Sequence, residues 1–196
     1  RLLADTTFSA SLRATALYAV GSVPLGLALA LALALLLRAQ SRAASLVRTI
    51  VYLPAIVSPV IVACVWRFLL DAEQGWLNGV LLQCGIHGPA WLRDASTVTL
   101  AFIGVSLWSV GAQMLVFLAA LQALDPALEE AARIDGAGPC ARLRHIVLPS
   151  LSPVVLFNLV TGTIAAAQIF TQPYVMTQGG PGDASRYLVL YLFETA

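Results

Sequence analysis

The sequence is short of charge and has no lysine: all eleven basic residues are Arg, they stand against ten Asp and Glu, and only 11% of the 196 residues are charged. A soluble domain carries roughly 25%. Apolar residues make up 59% of the chain and the mean hydropathy is +0.85. A water-soluble fold of this size would lack the polar surface to cover itself, so the natural solvent for the chain is a membrane. The net charge of +1 gives no electrostatic case for nucleic acid as a partner. Three scattered cysteines, Cys64, Cys84 and Cys140, form no CxxC and no metal-spaced set. The two histidines, His87 and His145, are expected on opposite faces of the membrane and so cannot share a metal. Gly179-Gly180-Pro181 is not followed by Lys-Ser/Thr and cannot be a phosphate loop. No Ser-His-Asp set or paired-carboxylate site is evident. No catalytic, metal or cofactor site is therefore expected in this chain.

Four apolar segments are long enough to matter: about 14–37, 50–70, 98–121 and 151–170. At 1.5 Å per residue the first reaches about 36 Å, more than a ~30 Å hydrocarbon core. Lipid offers no partner for backbone N–H and C=O groups, so each segment is expected to be a helix, and the fold an all-α polytopic bundle. Ala28/Ala32 and Ala30/Ala34 are small-xxx-small pairs that let neighbouring helices approach closely. Pro24, Pro54 and Pro59 each remove a donor, and are expected to kink a helix or sit near its end. Residue 1 is Arg with no signal peptide before the first segment, and the chain stops at Thr195-Ala196 without a polar tail. It is therefore read as a single transmembrane domain truncated at both ends, with further spans expected on either side.

Loop charge bears on orientation. Arg38, Arg42 and Arg48 surround the first short loop, which holds no acid, and Arg133, Arg142 and Arg144 lie in the loop 122–150. The other side holds Arg1, Arg13, Arg67, Arg93 and Arg186, so arginine counting alone decides little. The first short loop is the better indicator. It places Arg38–Arg48 in the cytoplasm, and by alternation 122–150 as well.

The loop 122–150 is too long and too organised for a plain connector. Asp125-Pro126 reads as an N-cap followed by Pro at the first helical position. Ala127 to Asp135 is a good helix former with Glu129 and Glu130 near the positive end of its dipole, and Glu129 and Arg133 stand four apart. Gly136 ends that helix, and Pro139 opens a second short one carrying Leu143, Ile146 and Val147. Ala131, Ala132 and Gly136 are small and are expected on the exposed face, which allows close approach by another backbone. An interfacial helix resting on lipid fits poorly, because the loop lacks Trp, Phe and Lys and carries acids.

Glu130-Ala131-Ala132, Gly136, Ile146 and Leu148-Pro149, at their spacing here, resemble the EAA signature of ABC importer permeases. Arg133 and Asp135 lie within the same stretch. Arg48, Tyr52-Leu53-Pro54, Trp66, Gly75-Trp76-Leu77-Asn78, Trp91-Leu92 and Leu118–Gln122 look like the carbohydrate, maltose-type subgroup. Thr177-Gln178-Gly179-Gly180-Pro181 with Ser185 resembles its outer T-x-G-G-P segment. Ala14 before Thr15, where many relatives have Asn, and Ser185, where Thr is common, depart from that pattern. The resemblance implies a type I importer permease of six spans, of which four would be present. It also implies a coupling helix that docks on a separate nucleotide-binding ATPase, which would hold the ATP and Mg. A second permease subunit, an extracytoplasmic solute-binding protein and the bilayer of a bacterial inner membrane are the further partners implied.

A solute path would be lined by the few polar residues in the spans: Ser106, Ser109 and Gln113 on the third, and Asn158, Thr161, Thr163 and Gln168 on the fourth. Trp108 offers an aromatic face for a sugar. Interhelical hydrogen bonding is the competing reading for all of these. A permease for a non-sugar solute would carry the same loop. An ion-coupled secondary transporter would need inverted repeats and mid-membrane charge, and the sequence has neither, Arg67 lying near a span end.

Overall fold

The computed structural model describes residues 5–39 and 41–196, with every side chain among them except that of Glu129. All regular elements among the described residues are helices. The first, α1 (Thr6–Leu36), has 31 residues and contains Pro24 without ending there. The second apolar segment forms two helices, α2 (Arg42–Ile56) and α3 (Pro59–Leu69), broken at Val57-Ser58. Pro54 lies inside α2 near its end and Pro59 takes the first position of α3, where its missing N–H is no loss. The third segment also divides, into α5 (Val98–Leu107) and α6 (Gly111–Gln122). The fourth runs through α10 (Ser152–Ala167) and α11 (Thr171–Met176). By length and composition, two helical stretches are able to cross a membrane, or up to four if each broken pair is one span. The remaining elements are α4 (Trp76–Gln83), α7 (Pro126–Ile134), α8 (Pro139–Arg142), α9 (Leu148–Ser150) and α12 (Leu188–Thr195).

The chain divides into two compact units. One comprises Arg1–Pro24, Ile56–Trp108 and Gly162–Ala196. Its core is aromatic: Tyr187 is fully buried, with its ring centroid 5.2 Å from Tyr18 and 5.8 Å from Phe102. The backbone N–H of Leu188 donates to Thr15 Oγ1 at 2.9 Å, and Tyr191 donates its hydroxyl proton to Asp5 at 2.7 Å, so α12 is tied to α1 at two levels. The segment 177–185 is closed by Ser185, whose buried hydroxyl donates to the Gly180 carbonyl at 2.5 Å and meets Thr177 Oγ1 at 2.6 Å. A serine hydroxyl is enough for both contacts, which is why the departure from Thr costs this turn nothing visible. Asn78 organises the segment between α3 and α5. Its amide donates to the carbonyls of Ala72 and Pro89 and its oxygen accepts from Trp91 Nε1 at 2.7 Å.

The other unit comprises Leu25–Ala55 and Ser109–Thr161. Met114, Phe117, Leu121 and Leu151 form its centre, each almost wholly buried. Ala30 and Ala34 are completely buried, whereas Ala28 and Ala32 are exposed, so one of the two expected small-residue pairs makes a contact and the other does not. The reason is angular: positions two apart on a helix point about 200° away from each other. Gly111 lies so close to α2 that an added Cβ would sit 2.3 Å from the Val51 carbonyl oxygen and 2.7 Å from Tyr52 Cα. Arg48 reaches back from α2 to the end of α1, donating to the carbonyls of Leu37 at 3.0 and 2.5 Å and of Ala39 at 2.9 Å. A cation there both satisfies orphan carbonyls and offsets the negative end of the helix dipole.

Candidate functional site

The loop 122–150 lies wholly within the second unit. Asp125 caps α7, its side chain accepting from the Ala127 N–H at 2.9 Å, and Pro126 follows at the first helical position. At the other end Asp135 is the last capping residue, and Gly136 takes φ +76°. The N–H of Ala137 bonds the Ala132 carbonyl at 2.9 Å, and that of Gly136 bonds Arg133 at 3.1 Å. This pair of bonds is a Schellman ending, and the left-handed residue it needs is most cheaply Gly. Nothing lies within 4 Å of the place a Gly136 Cβ would occupy. The glycine is required by the turn, and the space beside it stands open.

From Pro139 the backbone continues helically through α8, a π-helical turn (Leu143–Val147) and α9. The Leu148 N–H bonds Leu143, five residues back. Pro149 has no N–H to give and its ring would press on the carbonyl four residues earlier, so a widened turn just before it relieves the clash. Ile146 is half-buried, while Leu148 and Pro149 are exposed.

On α7 and in the turn that ends it, Glu130, Ala131, Arg133, Asp135 and Gly136 are all exposed. Ala132 is not: at 9% exposure it faces inward, contrary to the expectation that it shares the open surface with Ala131. Successive helical residues are about 100° apart, so two neighbours rarely share a narrow face. What stands beside Ala131 instead is Leu128, 51% exposed, and Ile134, 87% exposed. Positions 128, 131 and 134 stand three apart and make one apolar stripe. Leu128 and Ile134 lie outside the resembling motif residues, although their spacing of three about Ala131 is legible in the sequence. The expected Glu129–Arg133 pair rests on a side chain outside the described residues.

The polar span residues are divided. Ser109, Gln113, Asn158 and Thr161 belong to the second unit, Ser106, Thr163, Trp108 and Gln168 to the first. Asn158 is 2% exposed and its amide donates to Val154 one turn earlier at 3.1 Å. Thr161 is exposed, with its hydroxyl turned back to the carbonyls of Phe157 and Asn158. Ser106 likewise donates to Ile103 at 2.7 Å. Gln113 is half-buried, its Oε1 beside Gly26, while Gln168 is exposed. Trp108 meets Trp66 edge to face at 5.9 Å. Asn158 and Thr161 therefore differ in burial, although positions three apart are neighbours on a helix surface.

Residues 22–192 match the family described as "Binding-protein-dependent transport system inner membrane component". The chain belongs to this family. Several named proteins are similar to the chain over nearly its whole length. The probable ABC transporter permease YesP of Bacillus subtilis is 36% identical, the match covering 98% of this chain and 63% of that protein. The lactose transport permease LacF of Rhizobium radiobacter is 34% identical over 99% of this chain and 67% of its own. The trehalose/maltose permease MalF of Thermococcus litoralis is also 34% identical, over 99% and 66%. Among solved structures, a bacterial ABC transporter for the acidic polysaccharide alginate superposes with a TM-score of 0.88 at 25% identity, over 98% of this chain and 69% of that one. A second structure of the alginate transporter holds an alginate pentasaccharide-bound periplasmic protein. The chain thus spans 63% of the length of YesP. Its all-helical architecture is that of an ABC importer permease, and its place is the cytoplasmic membrane.

Proposed function

We propose that the chain is the membrane-spanning permease subunit of an ATP-driven importer for a carbohydrate, polyol or glycerol phosphate-like solute. In this reading the solute arrives on an extracytoplasmic binding protein, a second permease subunit completes the passage, and a separate ATPase supplies the work. ATP and Mg belong to that ATPase, and this chain does no chemistry of its own. Support for the solute class is the company it keeps: relatives named for lactose, for trehalose/maltose and for sn-glycerol-3-phosphate, and a structural neighbour named for alginate. Support for the binding protein is the periplasmic partner in that neighbour's complex.

The observation that carries the mechanism is α7: a short capped helix that exposes Leu128, Ala131 and Ile134 and ends in a glycine with open space beside it. Such a knuckle suits a groove on a moving partner. Closure of the ATPase on ATP moves whatever is seated in its cleft, and the loop's unequal affinity for the closed and open forms biases the permease between outward- and inward-facing states. Glu130, Arg133 and Asp135 are the polar contacts of the knuckle. Gly136 sets its turn, and Ile146 with Leu148-Pro149 joins it to α10. Ser109, Gln113, Asn158, Thr161 and Gln168 remain the residues proposed to line the solute path.

Gly136→Asp tests the mechanism in proteoliposomes holding the complete transporter. A side chain there meets no atom, and the strain of a non-glycine residue at φ +76° falls on the turn after α7, so the spans are expected to fold, with solute uptake reduced at least tenfold while ATP hydrolysis continues. Uptake at the normal rate would sink the docking role.

A further inference from the structure

We propose that a pocket formed by the end of α3, the turn after it and the segment before α5 binds a neutral carbohydrate. The pocket is about 430 Å³, within the roughly 300–1,000 Å³ of small-molecule sites. Arg67, Asp71, Glu73 and Arg93 line it, so donors and acceptors share one cavity and their formal charges cancel. Arg93 meets Glu73 at 3.3 Å and Asp71 at 3.9 Å. Arg67 is anchored on α11, donating from Nη1 to the Val175 carbonyl at 3.1 Å. These contacts position the guanidinium groups and still leave them capacity, because each carries several N–H donors in a planar fork. The Arg93–Glu73 pair is open to water, the two side chains being 65% and 77% exposed. An exposed pair of this kind is weak, and a ligand hydroxyl can enter it in place of water.

The lining selects the ligand. Vicinal sugar hydroxyls both donate and accept, and a planar guanidinium or carboxylate bridges two of them at once. With two cations set against two anions, the cavity has no excess charge to favour a phosphate or a cationic solute. Phe68 supplies the other half of sugar recognition: its ring lines the pocket and is 65% exposed. A flat apolar ring covers the C–H face of a pyranose while the hydroxyls turn to the charged groups. Gln74 adds an amide that donates and accepts. All of these residues belong to one compact unit. By the alternation of spans, the segment 71–97 lies on the side opposite the loop 122–150, where a binding protein would deliver solute. This inference rests on the importer reading for that side and for the solute class. It does not need α7 to dock on an ATPase.

The test uses Cys64, which is exposed and lines the same pocket. The full-length permease, with Cys84→Ser, Cys140→Ser and any further cysteine replaced, is assembled with its partner subunits in nanodiscs. Alkylation of Cys64 by a membrane-impermeant maleimide is timed with and without millimolar maltose, trehalose or lactose. At least one of these neutral disaccharides is expected to slow the reaction severalfold, and sn-glycerol-3-phosphate to slow it less. Arg93→Gln is expected to raise the protecting concentration at least about tenfold, for loss of a charge-assisted bond. Phe68→Ala should raise it about threefold, and carries the decision if Arg93→Gln does not assemble. No protection by any of the three sugars overturns the site, as does equal protection in parent and variants or stronger protection by sn-glycerol-3-phosphate. A Cys64 that does not react in the assembled transporter also overturns it, since a partner then fills the pocket. Sugars that are taken up by the parent transporter but do not protect would end this site alone. Sugars that neither protect nor are taken up would end the solute class as well. Normal uptake in Gly136→Asp would end the coupling role and leave Cys64 protection unchanged.

Discussion

Single side chains hold the ends of helices in this protein, and their effects are separable. Arg48 makes charge-assisted bonds to Leu37 and Ala39 across the turn between α1 and α2. Each such bond is worth about 1.5–3 kcal/mol, and they are not additive on one side chain. Arg48→Ala is expected to lower the stability of the purified protein by about 1–3 kcal/mol in denaturant unfolding, and Arg48→Lys to recover only part, because an ammonium is a single nitrogen without the planar fork that spreads the Arg48 donors over both carbonyls. An unchanged midpoint for Arg48→Ala would show that water replaces the cap.

Asp71 closes the turn after α3, accepting from the N–H groups of Glu73 and Gln74 at 3.0 Å each. Those bonds, Gln74 first and then Glu73, hold its carboxyl below the usual value of 3.8, and Arg93 adds to the effect. A folded-state value that is depressed contributes stability above the unfolded value, and that contribution is lost as pH falls through the folded one. The segment 71–97 should therefore become more susceptible to an acid protease below about pH 3.8. Asp71→Asn should flatten that dependence, and an identical pH profile in the variant would count against it.

At the scale of elements, close approach decides more than hydropathy. Gly111 opens α6 against the backbone of α2, with Val51 and Tyr52 at distances no side chain tolerates. Gly111→Val forces the two helices apart. We expect a loss at or above the upper end of the usual 1–3 kcal/mol for overpacking, read as a lowered thermal midpoint in detergent. A variant as stable as the parent would mean that α2 and α6 move apart freely. Much of this level could be read in the sequence. Asp125-Pro126 and Gly136 marked the bounds of α7, because capping and the left-handed turn are local chemistry. Breaks at Val57-Ser58 and around Ser109 were less legible. Pro59 hinted at the first, but only packing chose a break there over a kink at Pro54.

For the whole molecule, the proposed assembly makes its own demand. Glu130 is exposed on α7, so reversing its charge is expected to leave the fold of this chain intact. Glu130→Lys is expected to reduce co-purification of the ATPase with the full-length permease at least fivefold. Co-purification and uptake equal to the parent would remove Glu130 from the interface.

Composition alone determined the solvent: a chain with 11% charged residues cannot cover itself in water, and lipid then compels helices. Local spacing determined the capped knuckle of 125–136, since every interaction in it lies within a few residues. Tertiary structure decided which small residues are used. Ala30 and Ala34 are buried while Ala28 and Ala32 are not, and Ala132 turns in while Leu128 and Ile134 turn out. It also gathered Arg67, Phe68 and Arg93 around one cavity from either side of α4. Periodicity states which residues share a face. What that face meets depends on neighbours brought from elsewhere in the chain.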